Sequence, residues 1–254
     1  MANEWTKEET IVAFNVYCKI PFKNSNKANP TVIKYAKILG RSPSALNMKI
    51  GNFGRLDPNL KAQGIVGLGH GSKMEEIVWN EFADNPEKLA YESELLIAKF
   101  AKKEIEETSE IDLENLPQGK ERTAVIKQRV NQSFFRSAVL SSYNFCCCIS
   151  GIKIPSLLEA CHIVDWAKDE KQRLNPTNGL CMNSFFHKSY DKNLIAVTPD
   201  YEVKISEKLL ESIENEKFKT YLKSVQSSKI KLPDRFLPNK EFLDAHYREF
   251  RDGN

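Results

Sequence analysis

No run of the 254 residues approaches the roughly 20 successive apolar positions that a membrane span requires. The first residues, Met-Ala-Asn-Glu-Trp, lack the basic and apolar parts of a signal peptide, so the expected location is cytoplasmic and no membrane partner is expected. A strong charge imbalance is also missing. Lys and Arg number 37 against 34 Asp and Glu, a net +3, which excludes a polycation that holds phosphate over its whole surface. Internal repeats and low-complexity tracts are absent, excluding solenoids and disordered tails. The six cysteines (Cys18, Cys146, Cys147, Cys148, Cys161, Cys181) include no C-x2-C pair facing another, so the zinc-ribbon signature is lacking. In a reducing compartment they need not be disulfides and read as small buried residues, with a structural zinc disfavoured. Histidine is scarce, at four.

What remains is an ordinary globular composition, 41% hydrophobic and 28% charged, long enough for one large domain or two modest ones. The charges are unevenly placed. Lys34, Lys37, Arg41, Lys49 and Arg55 oppose Asp57 alone between Thr31 and Pro58. Lys120, Arg122, Lys127, Arg129 and Arg136 oppose only Glu121 between Gly119 and Val139, and an acidic stretch, Tyr91 to Leu116, separates the two islands. Two basic islands suit contact with phosphate at two places, although solvated helix faces would look the same.

The N-terminal segment carries helix signals. Thr6 and Glu9 form a capping box ahead of Ile11, Val12, Phe14 and Val16. Asn29-Pro30 opens a second helix that Gly40 stops, and Ser42-Pro43 opens a third. Two helices joined by a glycine turn, the second rich in Ser, Asn, Lys and Arg, predict a helix-turn-helix, with Arg41 and Lys49 as DNA contacts. The glycine-punctuated stretch from Gln63 to Gly71 predicts a small wing, with His70 at its tip or simply exposed. Residues 1–90 are thus expected to be a winged-helix-like recognition domain, 91–120 a helical linker and 121–254 a second domain. Arg129, Gln132 and Arg136 share a helical face and are candidate phosphate clamps.

Chemistry concentrates between Cys146 and Asp191. Leu157 to Val164 reads as a short apolar strand interrupted by His162, and a polar loop follows. Asn178-Gly179 marks a turn, Leu180 to Met182 a second strand, and Phe185 to Tyr190 the start of a helix. That helix places His187 and Asp191, four positions apart, on one face. A histidine among buried strand residues needs a polar partner, since leaving it unpaired costs about 1–3 kcal/mol.

The strings Glu159-Ala160-Cys161-His162-Ile163, Asn178-Gly179-Leu180 and His187-Lys188-Ser189-Tyr190-Asp191 resemble the HNH motif of the ββα-metal nucleases, closest to a branch of bacterial restriction endonucleases. Arg129 to Arg136, Tyr143 and the Cys147-to-Gly151 turn resemble that branch's lead-in. Leu232-Pro233 through Pro238 to His246 resemble its tail, so the likeness covers about half the chain. It implies an α+β fold, a helical winged-helix-like domain followed by a ββα-metal nuclease domain. His162 is implied as the general base and Asn178 as the brace of the loop that aims it, while His187 and Asp191 hold one divalent cation. Magnesium is the expected ion, with manganese or nickel as substitutes.

One position departs from the pattern. Many relatives carry Asp or His just before the base as a third ligand, where this chain has Cys161. Either its thiolate binds a softer metal, or the ligand is lost, or Glu159 or Asp165 reaches across; the expectation is a packing residue. His246 is expected to be structural. The implied activity is hydrolysis of double-stranded DNA in a restriction role, with dependence on modified bases left open; because one site cuts one strand, a double-strand cut predicts a homodimer or two sequential nicks. The alternative is a DNA-binding regulator with a decayed nuclease site.

Overall fold

The computed structural model describes residues 4–68, 71–109, 120–165 and 170–253. The chain divides into two compact units, Met1–Ser142 and Tyr143–Asn254.

Unit 1 is helical: α1 (Lys7–Lys19), α2 (Pro30–Ile38), α3 (Pro43–Gly54), α4 (Pro58–Ala62), α5 (Lys73–Phe82), α6 (Pro86–Ala101), α7 (Ile105–Thr108) and α8 (Lys120–Ser142). The Thr6–Glu9 capping box opens α1 as expected. From Glu9 to Cys18 every residue of α1 is buried, because α3, α5, α6 and α8 all pack against it. A helix that is largely apolar around its circumference can only be a core helix. Two of its polar members reach across the core: Asn15 donates to Ser93 Oγ at 2.5 Å, and the Tyr17 hydroxyl donates to Asp57 Oδ2 at 2.6 Å.

The two expected helices and the glycine turn between them are present. Asn29 caps α2, Ser42 caps α3, and Gly40 makes the turn at φ +63°, a conformation that a side chain would strain. The wing is not. No strand forms among the described residues of 63–71; the Leu68 amide donates instead to Gly51 O at 3.3 Å. Gly67 lies so close to α3 that a Cβ there would meet Arg55 N at 2.2 Å. This close approach holds the segment onto the end of α3. His70 and residues 110–119 of the expected linker fall outside the described residues.

Two boundaries also differ from the sequence reading. α6 is no linker: Leu89, Ala90, Ile97 and Ala98 are buried, and the helix packs on α1. α8, expected to begin the nuclease domain, packs on α1 and α6 and belongs to unit 1.

Unit 2 opens with a tight turn in which Gly151 (φ +74°) donates to Cys147 O, and Cys148 donates to Cys181 O. The ribbon β1 (Leu158–His162) and β2 (Gly179–Asn183) follows, antiparallel, with Leu158 opposite Asn183 and His162 opposite Gly179. α9 (Ser184–Asp191) leaves β2 directly, capped by the Asn183 side chain on Phe186 N at 3.0 Å, and packs on both strands. A second ribbon, β3 (Ile195–Val197) and β4 (Val203–Ile205), is followed by α10 (Glu207–Glu211), α11 (Glu216–Val225) and α12 (Lys240–Asp252), the last packed on β3. All six cysteines of the chain are free and buried, as expected.

Candidate active site

The ribbon places His162 at the last position of β1, where the chain leaves the sheet for the connection to β2. Its Nε2 lies 2.9 Å from Arg173 O. A carbonyl can only accept, so Nε2 carries the proton and the neutral ring keeps its lone pair on Nδ1. Burial is the main influence on this ring and pushes its pKa below the usual histidine range, outweighing the Arg173 carbonyl, which acts the other way. The ring is therefore neutral near pH 7, the state a proton acceptor needs.

Asn178, 1% exposed, closes the connection that carries Arg173. Its Oδ1 accepts from Val164 N at 2.8 Å, its Nδ2 reaches Val164 O and Gln172 O at 3.2 Å each, and its carbonyl accepts from Ile163 N at 2.9 Å. Four bonds from one residue thus fix the chain on either side of His162 and the segment leading to Arg173. A substitution there would release both ends of the geometry that orients the ring.

On α9, His187 and Asp191 are one turn apart, with His187 Nε2 at 3.4 Å from Asp191 Oδ2. His187 Nδ1 is bonded to Glu159 Oε2, and Glu159 Oε1 accepts from Ser184 Oγ at 2.7 Å. Burial raises the Glu159 carboxyl, but the Ser184 and His187 bonds win and hold it below the usual carboxylate range. It therefore orients His187 as an ionised acceptor and turns Nε2 toward Asp191. Sequence reasoning considered Glu159 as a ligand and missed this role. The available signal was alternation: Glu159 and Cys161 stand two apart on β1 and so share a face, here the one packed against α9.

Cys161 is fully buried, with Sγ 4.0 Å from Asp191 Oδ1 and 3.5 Å from His162 O. One ligand atom from each of Cys161, His187 and Asp191 falls within 4.8 Å of the others, the one such cluster among the described residues. A nitrogen and a carboxylate oxygen at this separation fit a single divalent cation. The thiol fits less well. Burial, then the Asp191 and Glu159 charges, push its pKa well up, so it sits against α9 as a neutral SH group.

His162, Asp165, His187, Asp191, His246 and Glu249 open on one cavity of about 460 Å³. His246 and Glu249 come from α12, which sequence reasoning left outside the site. His246 stacks on Tyr190 at 3.6 Å between centroids, 8° from parallel, with Nε2 3.1 Å from Tyr190 O. It buttresses the C-terminal turn of α9 and with it Asp191, at the wall of the site.

The other sequence-predicted residues lie in unit 1. Arg41 makes a bidentate pair with Glu9 at 2.8 Å and bonds Glu4 O, and Lys49 is 8% exposed and bonded to Glu75 at 2.5 Å. Both charges are committed inside the unit, so neither is presented as an open phosphate ligand. Gln132 and Arg136 are exposed on α8 and Arg129 is half-buried there.

Residues 147–198 match the family model described as HNH endonuclease. No curated protein matches the chain. The matched span contains the β1–β2 ribbon, α9, His162, Asn178, His187 and Asp191, and this part of the chain is an HNH endonuclease domain.

Proposed function

We propose that the chain is a metal-dependent DNA endonuclease with a restriction role. The observation that carries the reading is the placement of two separate devices on one cavity: a neutral His162 tethered through Nε2, and the His187–Asp191 pair.

His162 Nδ1 takes the proton from the attacking water, and the Arg173 carbonyl holds the ring so that it can do so. Asn178 keeps that carbonyl and the end of β1 in register. His187 Nε2 and Asp191 would hold a divalent cation, and Glu159 fixes the His187 ring. When bound, the cation neutralises charge on the scissile phosphate and the departing 3′ oxygen. With Cys161 kept as a neutral thiol, the donors are an imidazole and a carboxylate plus water, which favours magnesium or manganese over a thiophilic ion. One such site cuts one strand, so a double-strand cut calls for a homodimer or two successive nicks. The intact constellation argues against a regulator with a decayed site.

The test is cleavage of plasmid prepared from a methylating and from a non-methylating host, with magnesium, with manganese and with chelator. Metal-dependent cutting supports the reading, and a difference between hosts makes the enzyme modification-dependent. If neither plasmid is cut under any metal while the protein still binds DNA, the nuclease reading is wrong.

A further inference from the structure

Asp191 is the last residue of α9, a helix of only eight residues, and its side chain is 52% exposed. It meets His187 Nε2 at 3.4 Å and Cys161 Sγ at 4.0 Å, contacts too long to fix a carboxylate by themselves. The last carbonyls of a helix also lack partners within it, and such ends fray. The backbone of this C-terminal turn therefore decides where the Asp191 carboxylate stands.

Two devices close the turn. The first is local. Asn193 adopts the left-handed conformation, φ +52°, so that its amide donates to Tyr190 O at 2.9 Å and the Leu194 amide donates to Ser189 O at 2.9 Å. This pair of bonds is the Schellman closure, with asparagine in the place that glycine most often takes.

The second device comes from α12, 56 residues along the chain. His246 Nε2 lies 3.1 Å from Tyr190 O, and because a carbonyl only accepts, the ring N–H donates. A carbonyl oxygen has two lone pairs and so takes this bond beside the one from Asn193. The same imidazole stacks on the Tyr190 ring, with centroids 3.6 Å apart and planes 8° from parallel. One side chain thus grips one residue twice, with its face on the ring and its edge on the carbonyl. Both residues are buried, which suits the stack; packing alone would not call for a donor aimed at that oxygen.

We propose that His246 is a positioning residue for the metal site. By holding Tyr190 at ring and carbonyl, it sets the last turn of α9 and with it the placement of the Asp191 carboxylate relative to His187. Donors of a metal site must be held to within about 0.5 Å, and a neighbour in the chain that can turn neither its ring nor its carbonyl passes that constraint to the ligand. His246 itself stands outside the cluster of donor atoms formed by Cys161, His187 and Asp191, so it acts through Tyr190 and not as a ligand. The role goes beyond the packing expected of His246 from the sequence, and it rests on the metal-dependent reading of the site.

The test is manganese binding to the full chain by calorimetry, read beside melting temperature and plasmid cleavage. His246→Phe keeps a ring for the stack and removes the bond. It should weaken manganese binding about tenfold, the lower end of what losing an outer partner of a metal ligand costs. Its cleavage should fall at limiting manganese and return to within about twofold of the wild type at saturating manganese, because His162 is untouched. Tyr247→Leu alters the next residue of α12, which stacks on Phe250 and does not line the cavity. It should lower the melting temperature and leave manganese affinity unchanged, which separates positioning from the general stability of α12.

Manganese affinity in His246→Phe within about twofold of the wild type would overturn the proposal. So would a wild type that binds no manganese, or a loss of affinity in Tyr247→Leu equal to that in His246→Phe. The nuclease reading fails separately: if the wild type binds manganese and cuts no plasmid while His246→Phe still loses affinity, the positioning role stands and the enzyme does not. If the wild type cuts and His246→Phe binds manganese as the wild type does, the reverse holds.

Discussion

The two units use the same kinds of ionisable residue in opposite ways. In unit 1 the strong polar groups are spent on the fold: Lys49 with Glu75, Lys19 with Glu94 and Arg41 with Glu9 are inward pairs at 2.5–2.8 Å. In unit 2 the corresponding groups face a cavity: His162 is tethered through Nε2 to Arg173 O, and His187 through Nδ1 to Glu159, with its Nε2 turned toward Asp191. A pair closed on itself inside a core stabilises; a group held at the wall of a cavity can react. The difference lies in what the backbone brings opposite each side chain.

Breaking each type of arrangement should therefore give different phenotypes. His162→Ala should lower cleavage by about 10²–10⁴-fold with little change in melting temperature, measured by plasmid turnover and calorimetry. Lys49→Met should do the reverse, destabilising unit 1 by about 3–5 kcal/mol by leaving Glu75 buried and unpaired, as read by denaturant unfolding. Any residual folded fraction should retain an intact nuclease domain.

Glu159→Gln sharpens the comparison, because Glu159 acts through His187 rather than on substrate. The loss should be about 10- to 100-fold in metal affinity, with cleavage partly restored at saturating manganese. A purely structural role would lower the melting temperature and show no rescue by metal.

The buried pair also gives unit 1 an acid limit. Burial opposes ionisation of Glu75, but bonds from Lys49, Ser72 and Asn52 prevail and bring its pKa down to about 2. A carboxyl depressed in the folded state contributes stability that is complete above its unfolded value near 4.5 and is lost as pH falls toward 2. That contribution is on the order of 3 kcal/mol, and Glu75→Gln should flatten the acid limb of a stability-against-pH curve. The smallest effect belongs to Cys161→Ala, which should retain cleavage to within a few fold; abolition would make the thiol a ligand.

Much of this was legible in the sequence where the signal is local. The capping box at Thr6 and Glu9, the Asn29-Pro30 and Ser42-Pro43 helix starts, and the strand–turn–strand–helix order from Leu158 to Asp191 are set by neighbours within a few residues. The candidate site residues His162, Asn178, His187 and Asp191 stand out in the sequence because their spacing and the HNH resemblance coincide. What was not legible depends on partners far along the chain. Arg41 and Lys49 look like surface cations until Glu9, 32 residues away, and Glu75, 26 away, turn them inward. Glu159 meets His187 across 28 residues, and His246 meets Tyr190 across 56. The stretch from Gln63 to Gly71 reads as a wing in the sequence because glycines mark close backbone approach as readily as they mark turns.

The central claim is that the base and the metal ligands are separate groups on one ribbon-and-helix site. The most direct test is manganese binding by calorimetry alongside cleavage for wild type, His162→Ala and Asp191→Ala. The account predicts that His162→Ala binds manganese as the wild type does and does not cut, while Asp191→Ala loses both. Cleavage at the wild-type rate by His162→Ala, or manganese binding and cutting retained by Asp191→Ala, would contradict it.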